Sequence, residues 1–143
     1  MNEKRLVLFV CTGNICRSPI AEYIMRARLG DDTMWETGSA GVFAPQGAPP
    51  SKEGMQVLKE IKINSRRHRS RPLTRELVDQ STLVVVMTRE HQMDVLRMFP
   101  DLEGRVHMLN SFSDTHGTPA NIPDPIGLPL SVYRTTRDTI DSA

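Results

Sequence analysis

The sequence predicts an α/β fold built on a parallel sheet, and three observations carry that expectation. Leu6-Val7-Leu8-Phe9-Val10 and Leu83-Val84-Val85-Val86-Met87 are unbroken apolar runs, the pattern of strands buried on both faces. Segments with helical spacing and recognisable caps lie between and after these runs. Strand and helix signals alternate along the chain, as a parallel sheet with helical crossovers requires.

Each element has its own signal. After the first strand, Ser18-Pro19 reads as an N-cap followed by proline at the first helical position. Ile20, Ile24 and Ala27 then share one face, and Gly30 closes the helix. The stretch around Trp35-Thr37 is a weaker strand. Met55, Leu58 and Ile61 mark a second helix capped by Ser51. Thr74 caps a short third helix, and Thr88 a fourth, with His91, Val95 and Phe99 at i, i+4 and i+8. Val106-His107-Met108-Leu109 is a further weak strand, and Val132, Thr136 and Ile140 mark a last helix. Trp35 and Tyr133 read as packing residues, and the eight methionines as fillers of core gaps. Pro45 to Pro50 and Ser113 to Pro129 are loop-like, and a loop as long as the second is expected to be functional or mobile.

Bulk properties narrow the function. The 143 residues fit one domain, 1–143, around one core. With 38% hydrophobic and 24% charged residues the chain reads as globular. A formal net charge of +1 gives no global pull toward nucleic acid or an anionic membrane. The apolar runs are too short to span a bilayer, and the start Met-Asn-Glu-Lys-Arg does not read as a secretory signal. Two cysteines make no disulfide framework and too few ligands for a structural zinc, and the four histidines lack ligand spacing. The expectation is a cytoplasmic protein with no metal, no cofactor, no nucleic-acid partner and no membrane association. Nothing in the sequence sets an oligomeric state.

The chemistry concentrates in Cys11-Thr12-Gly13-Asn14-Ile15-Cys16-Arg17-Ser18. This segment leaves a buried strand and opens a helix, where backbone N–H groups and the helix dipole favour an anion. Gly13 permits a positive φ, and Asn14 is the next-best residue for it. Amide dipoles and the Arg17 guanidinium both favour a thiolate at Cys11. The planar fork of Arg17 can hold two phosphate oxygens at once, and the Ser18 hydroxyl can donate to the sulfur. Cys-x5-Arg alone is a weak signal; the Gly-Asn filler, the strand before it and the Ser-Pro after it make it a specific one. The competing reading of Cys11 is an inert buried thiol. Asp124-Pro125 alone is as readily a turn as an acid, but beside the Cys11 loop Asp124 becomes the candidate general acid. Two readings of another class are a flavin or nucleotide binder, which leaves Cys11 and Arg17 unexplained, and a phosphoprotein-binding module without turnover.

The segment from Val7 to Glu22 resembles the low-molecular-weight protein tyrosine phosphatases. Gly38-Ser39-Ala40-Gly41, Pro72-Leu73-Thr74, Val86-Met87-Thr88 and Asp124-Pro125 extend the resemblance, in order, along nearly the whole chain. It implies a flavodoxin-like three-layer fold with a four-stranded parallel sheet and a phosphate-binding loop between the first strand and first helix. It implies hydrolysis of a phosphorylated protein through a cysteinyl-phosphate, with Cys11, Arg17 and Asp124 as the reacting set. Asn14, Ser39 and His68 resemble the family's supporting hydrogen-bond network. His68 by itself, inside the basic run Arg66-Arg67-His68-Arg69-Ser70-Arg71, reads as solvent-exposed, and the run as a solvated loop or a docking strip for acidic substrate. Cys16 is read equally as a packed residue or as a reversible disulfide partner of Cys11.

Departures from the family pattern bear on the substrate. Ile126-Gly127 follows Asp124-Pro125 where the family often has aromatic walls; Phe43 is a candidate wall from the opposite loop, or a core residue. Ser39 to Ala44 and Tyr133 to Asp138 resemble the branch that acts on phosphoarginine. That branch carries threonine where this chain has Ile15, and Ile15 points to phosphotyrosine. A thiol-dependent arsenate reductase is disfavoured because no cysteine follows Cys16.

Overall fold

The computed structural model describes residues 5–30, 34–112 and 121–142. In chain order the elements are β1 (Arg5–Cys11), α1 (Arg17–Leu29), β2 (Trp35–Gly41), α2 (Lys52–Lys59), α3 (Arg75–Gln80), β3 (Ser81–Val86), α4 (Arg89–Met98), β4 (Val106–Met108) and α5 (Leu130–Ser142). Short 3-10 turns occupy Pro100–Leu102 and Leu109–Phe112.

The four strands pair in the order β2-β1-β3-β4, all parallel. Successive strand residues face opposite sides of a sheet, and both sides are covered here. Val7, Phe9 and Cys11 pack with Ile20, Ile24, Val57, Leu58, Tyr133 and Ile140 from α1, α2 and α5. Leu8 and Val10 pack with Val78, Val95 and Phe99 around α3 and α4. That two-sided burial is why the β1 and β3 sequences read as continuous rather than alternating. Leu8 is fully buried, so its truncation to alanine would destabilise by about 2–5 kcal/mol.

The chain leaves β1 toward β2 on one side and later returns to β3 on the other. The carboxyl ends of β1 and β3 therefore flank the topological switch point, where doubly wound sheets bind ligands. Cys11 is the last residue of β1.

Several local expectations change. Helix α1 starts at Arg17, with Cys16 as a cap that makes no side-chain hydrogen bond. Ser18 lies inside the helix because its hydroxyl is committed to the loop, and Pro19, at the third helical position, still belongs to the turn whose N–H groups have no helical partner. Ala27 is exposed, whereas Ile20 and Ile24 are buried. Gly30 ends the helix at φ 54°, its N–H on the Arg26 carbonyl. Ser51, Thr74 and Thr88 cap α2, α3 and α4, accepting from Gly54, Leu77 and His91. In α2 the buried residues are Gly54, Val57 and Leu58; Ile61 lies beyond the helix and is exposed. The methionines divide: Met87 and Met108 are core, Met34, Met93 and Met98 exposed. Trp35 is half-buried at the core edge, with the Arg5 guanidinium over its ring. Residues 113–120 of the long loop predicted from Ser113 to Pro129 lie outside the described residues.

Candidate active site

The segment after β1 is a cradle whose carbonyls face outward. The Cys11 and Thr12 carbonyls accept from the N–H groups of Val42 and Phe43, each at 3.0 Å, and the Ile15 carbonyl accepts from Ser51 N–H at 2.9 Å. His68 Nε2 lies 2.7 Å from the Asn14 carbonyl and must carry its proton there, since a carbonyl only accepts. In a trans peptide the C=O and the next N–H point in opposite directions. The amides of Thr12, Gly13, Ile15 and Cys16 are therefore turned away from these partners, toward the concave side, as in an anion-binding nest.

The bend falls on Asn14, at φ 58°; Gly13, expected to supply it, has no positive φ. Asn14 is the better residue there because its side chain ties the turn down. Its Oδ1 accepts the Arg71 N–H at 3.0 Å, which fixes the amide's orientation, and its Nδ2 donates to Ser18 Oγ at 2.8 Å. Ser18 Oγ lies 2.9 Å from Cys11 Sγ. With the Asn14 amide donating to its oxygen, the Ser18 hydrogen is free for the sulfur. All three residues are buried.

Behind the loop stands a network anchored on Glu22. This buried carboxylate accepts from Ser39 Oγ, at 2.5 Å, and from Arg26. His68 Nδ1 is 3.8 Å from Glu22 Oε1. Arg71 Nε donates to the Ser39 carbonyl at 2.9 Å. Ser39 thus supports the loop through Glu22, His68 and Arg71. His68 is 6% exposed, which corrects its reading as a solvated residue. The basic run is divided: Arg66, Arg67 and Arg69 are exposed, His68 and Ser70 buried, Arg71 half-buried. Glu22 and Arg71 carry no signal of their own in the sequence, although both stand inside segments with a recognisable motif.

The end of β2 presses on the cradle. A methyl group on Gly41 would come within 2.3 Å of the Thr12 carbonyl oxygen, 2.7 Å of Ala44 Cβ and 3.1 Å of Asn14 N. Only hydrogen fits.

Arg17 is 5% exposed. Its Nη1 donates to the Ile122 carbonyl at 3.0 Å, its Nη2 to Thr12 Oγ1 at 3.5 Å, and Nη2 lies 3.6 Å from Asp124 Oδ2. Its buried Nε finds no partner among the described residues. Asp124 Oδ1 accepts from Ile126 N–H at 3.1 Å, a two-residue turn that aims the other oxygen at Arg17. The structure so brings Cys11, Arg17, Ser18 and Asp124 together across the full length of the sequence.

Phe43 and Ile126 are 86% and 50% exposed, each one step from the loops that carry Cys11 and Asp124. Phe43 is therefore no core residue. Ile15 is half-buried against the α1 side of the core. Cys16 is buried with Sγ 3.5 Å from Tyr133 Oη; burial pushes its thiol up, against hydrogen bonds from Ser51 and Tyr133. Cys16 stays a protonated thiol, and both cysteines are free. One further neighbour, read in the sequence as a core position only, is His91: its buried ring places Nε2 2.8 Å from Thr12 Oγ1.

A doubly wound sheet with a cysteine, an arginine and a carboxylate at its switch point defines a phosphate-handling enzyme. The family model described as low molecular weight phosphotyrosine protein phosphatase matches residues 6–143, and the chain belongs to that family of hydrolases. It is 39% identical to a protein named protein-arginine-phosphatase from Geobacillus stearothermophilus, over 95% of this chain and 88% of the relative. It is 35% identical to the low molecular weight protein-tyrosine-phosphatase PtpB of Staphylococcus haemolyticus, over 91% and 88%. The solved structure of a low molecular weight protein tyrosine phosphatase from T. tengcongensis superposes with a TM-score of 0.88 at 37% identity, covering 96% of this chain and 93% of that one. The flavodoxin-like three-layer fold with four parallel strands is as the sequence resemblance implied.

Proposed function

We propose that the chain hydrolyses phosphotyrosine in proteins, with Cys11 as nucleophile and Asp124 as general acid and base. The observation that carries this reading is the buried Arg17 whose Nε–H has no partner among the described residues, in the same loop as a Cys11 sulfur that faces the Ser18 hydroxyl. A buried guanidinium donor left unpaired is costly, and a phosphate dianion would pair it.

The Cys11 thiolate attacks phosphorus in line, forming the S–P bond as the P–O bond to the substrate breaks. The leaving oxygen takes a proton from Asp124. Arg17 and the inward amides hold the equatorial oxygens through both steps, so the charge is met without a metal ion. Asp124, now a carboxylate, takes a proton from water as that water attacks the cysteinyl-phosphate. The S–P bond breaks, phosphate leaves, and Ser18 donates to the returning thiolate. The Arg17–Asp124 contact of 3.6 Å orders the acid before substrate arrives. Such a thiol needs a reducing compartment, which supports a cytoplasmic location.

Phosphotyrosine is favoured by Ile15, which offers the loop only apolar contact, and by the exposed ring of Phe43, which can stack on a substrate ring. A second reading, hydrolysis of phosphoarginine on the same cradle, is supported by the 39% identity to a protein named protein-arginine-phosphatase. The deciding experiment is kcat/KM on matched phosphotyrosine and phosphoarginine peptides, with Cys11→Ser as the blank. A phosphotyrosine preference supports the first reading and a phosphoarginine preference the second. Turnover that survives Cys11→Ser refutes the thiolate mechanism for both.

A further inference from the structure

We propose that His91 is a positioning residue of the phosphate cradle: its Nε2–H holds Thr12 Oγ1 so that the Thr12 hydroxyl hydrogen is presented to a phosphoryl oxygen. The proposal takes its ligand from the phosphatase reading above.

The argument is one of hydrogen-bond satisfaction. A threonine hydroxyl has one hydrogen to give and two lone pairs to fill. Arg17 has no acceptor, so its contact with Thr12 Oγ1 fills one lone pair. His91 Nε2, at 2.8 Å, either fills the second or takes the hydroxyl hydrogen. The other ring nitrogen decides. His91 Nδ1 is buried and has no partner among the described residues. If Thr12 donated to Nε2, the ring proton would sit on Nδ1, a buried N–H with nothing to bond. Stranded N–H donors are rarer in proteins than under-used acceptors. The favoured tautomer carries its proton on Nε2 and leaves a bare lone pair on Nδ1. Both Thr12 lone pairs are then filled, and its hydrogen is left to donate. Thr12 is exposed, one residue after Cys11, and its Oγ1 lies 3.5 Å from Arg17 Nη2, which puts that hydrogen within reach of an anion held by Arg17.

The imidazole does this without adding charge. Burial, and then the Arg17 charge, pull the His91 pKa down to about 4, against the opposing pull of Asp94 and Asp124. A lysine at this place would compete with Arg17 for the anion. The backbone at His91 is anchored by its N–H, which donates to the Thr88 cap at 3.1 Å, and the ring meets Thr12 through Nε2.

Two measurements test the proposal. The first is the long-range ¹⁵N–¹H NMR spectrum of the native protein, which reports the His91 tautomer. A proton on Nε2 is expected, and a proton on Nδ1 would overturn the proposal whatever any variant does. The second is titration calorimetry with inorganic phosphate, alongside kcat and KM on 4-nitrophenyl phosphate. Loss of one hydrogen bond to a charged group predicts about tenfold weaker phosphate binding in Thr12→Val and in His91→Ala. The double variant should bind no worse than Thr12→Val alone, because His91 acts through Thr12. His91→Gln, which keeps an N–H at similar reach, should stay within about threefold of native. Unchanged phosphate binding in Thr12→Val, or additive losses in the double variant, would overturn the proposal. Phosphate binding needs no turnover, so a Cys11→Ser blank that still hydrolyses substrate would sink the thiolate reading while leaving the Thr12–His91 result to stand or fall separately.

Discussion

Ser18 Oγ lies 2.9 Å from Cys11 Sγ and receives the Asn14 amide at 2.8 Å, so its own hydrogen is available to a thiolate at Cys11. That hydrogen is worth most when the cysteinyl-phosphate breaks and the sulfur must leave as a thiolate. Ser18→Ala should therefore lower kcat by about 10- to 100-fold with KM nearly unchanged. It should also cost about 1–3 kcal/mol of stability, since the Asn14 amide is left buried and unpaired. Steady-state kinetics and urea unfolding on one preparation separate the two effects.

Asn14 combines a left-handed backbone with two side-chain hydrogen bonds, and two substitutions split these contributions. Asn14→Gly keeps the backbone and loses the bonds, for about 1–3 kcal/mol. Asn14→Ala loses both and should be less stable than the glycine variant by a further ~1 kcal/mol. Equal urea midpoints for the two would mean that the φ of 58° carries no strain.

Asp124→Asn removes the proposed proton donor but keeps the turn to Ile126 N–H. On a phosphotyrosine peptide kcat should fall about 10²- to 10⁴-fold. On an aryl phosphate whose leaving group is a strong acid the loss should shrink, because that oxygen departs without a proton. Equal losses on both substrates would remove Asp124 from the acid's role.

Ile15→Thr tests what the loop selects. The substitution places a hydroxyl where the chain has apolar surface at the core edge. The ratio of kcat/KM for phosphoarginine to that for phosphotyrosine should rise at least about tenfold, equivalent to one charge-assisted hydrogen bond. An unmoved ratio would place specificity in the walls, at Phe43 and Ile126.

His91 carries a pH signature. Its folded pKa, about 4, lies below the ordinary imidazole value of 6.5. Between those values the unfolded chain binds more protons than the native one, so stability falls as pH drops from about 6.5 to about 4 and is fully present above that window. The urea midpoint of the native protein should decline more steeply over this range than that of His91→Gln, which has nothing to titrate there. Parallel declines would show that other groups dominate.

The strands that matter most were legible because burial on both faces writes a distinctive run, and Cys11 through Ser18 were legible because they are contiguous. Three of the predicted caps were readable for the same reason: a cap is a local event. What the sequence could not display is partnership across distance. Glu22, Ser39, His68 and Arg71 meet only once β2 and the basic loop fold back on α1. His68 in a run of arginines looks solvated until one sees that it must satisfy the Asn14 carbonyl. His91 at i, i+4 and i+8 with Val95 and Phe99 reads as core, correctly, yet its ring nitrogen reaches the loop. Ser18-Pro19 misled in the opposite way: a good capping pair was present, but the serine had a stronger claim on it from Cys11 and Asn14.

Gly41 has no side chain to react, yet its missing methyl is what lets the chain pass behind Thr12 and Asn14. A deep mutational map scored for activity would show this site as intolerant as the nucleophile, while a map scored for abundance would show it milder. The gap between the two maps is a signature of shape rather than chemistry. It would trace the wall against which the cradle is cast, and it tells an engineer which position to leave alone when rebuilding the rest of β2.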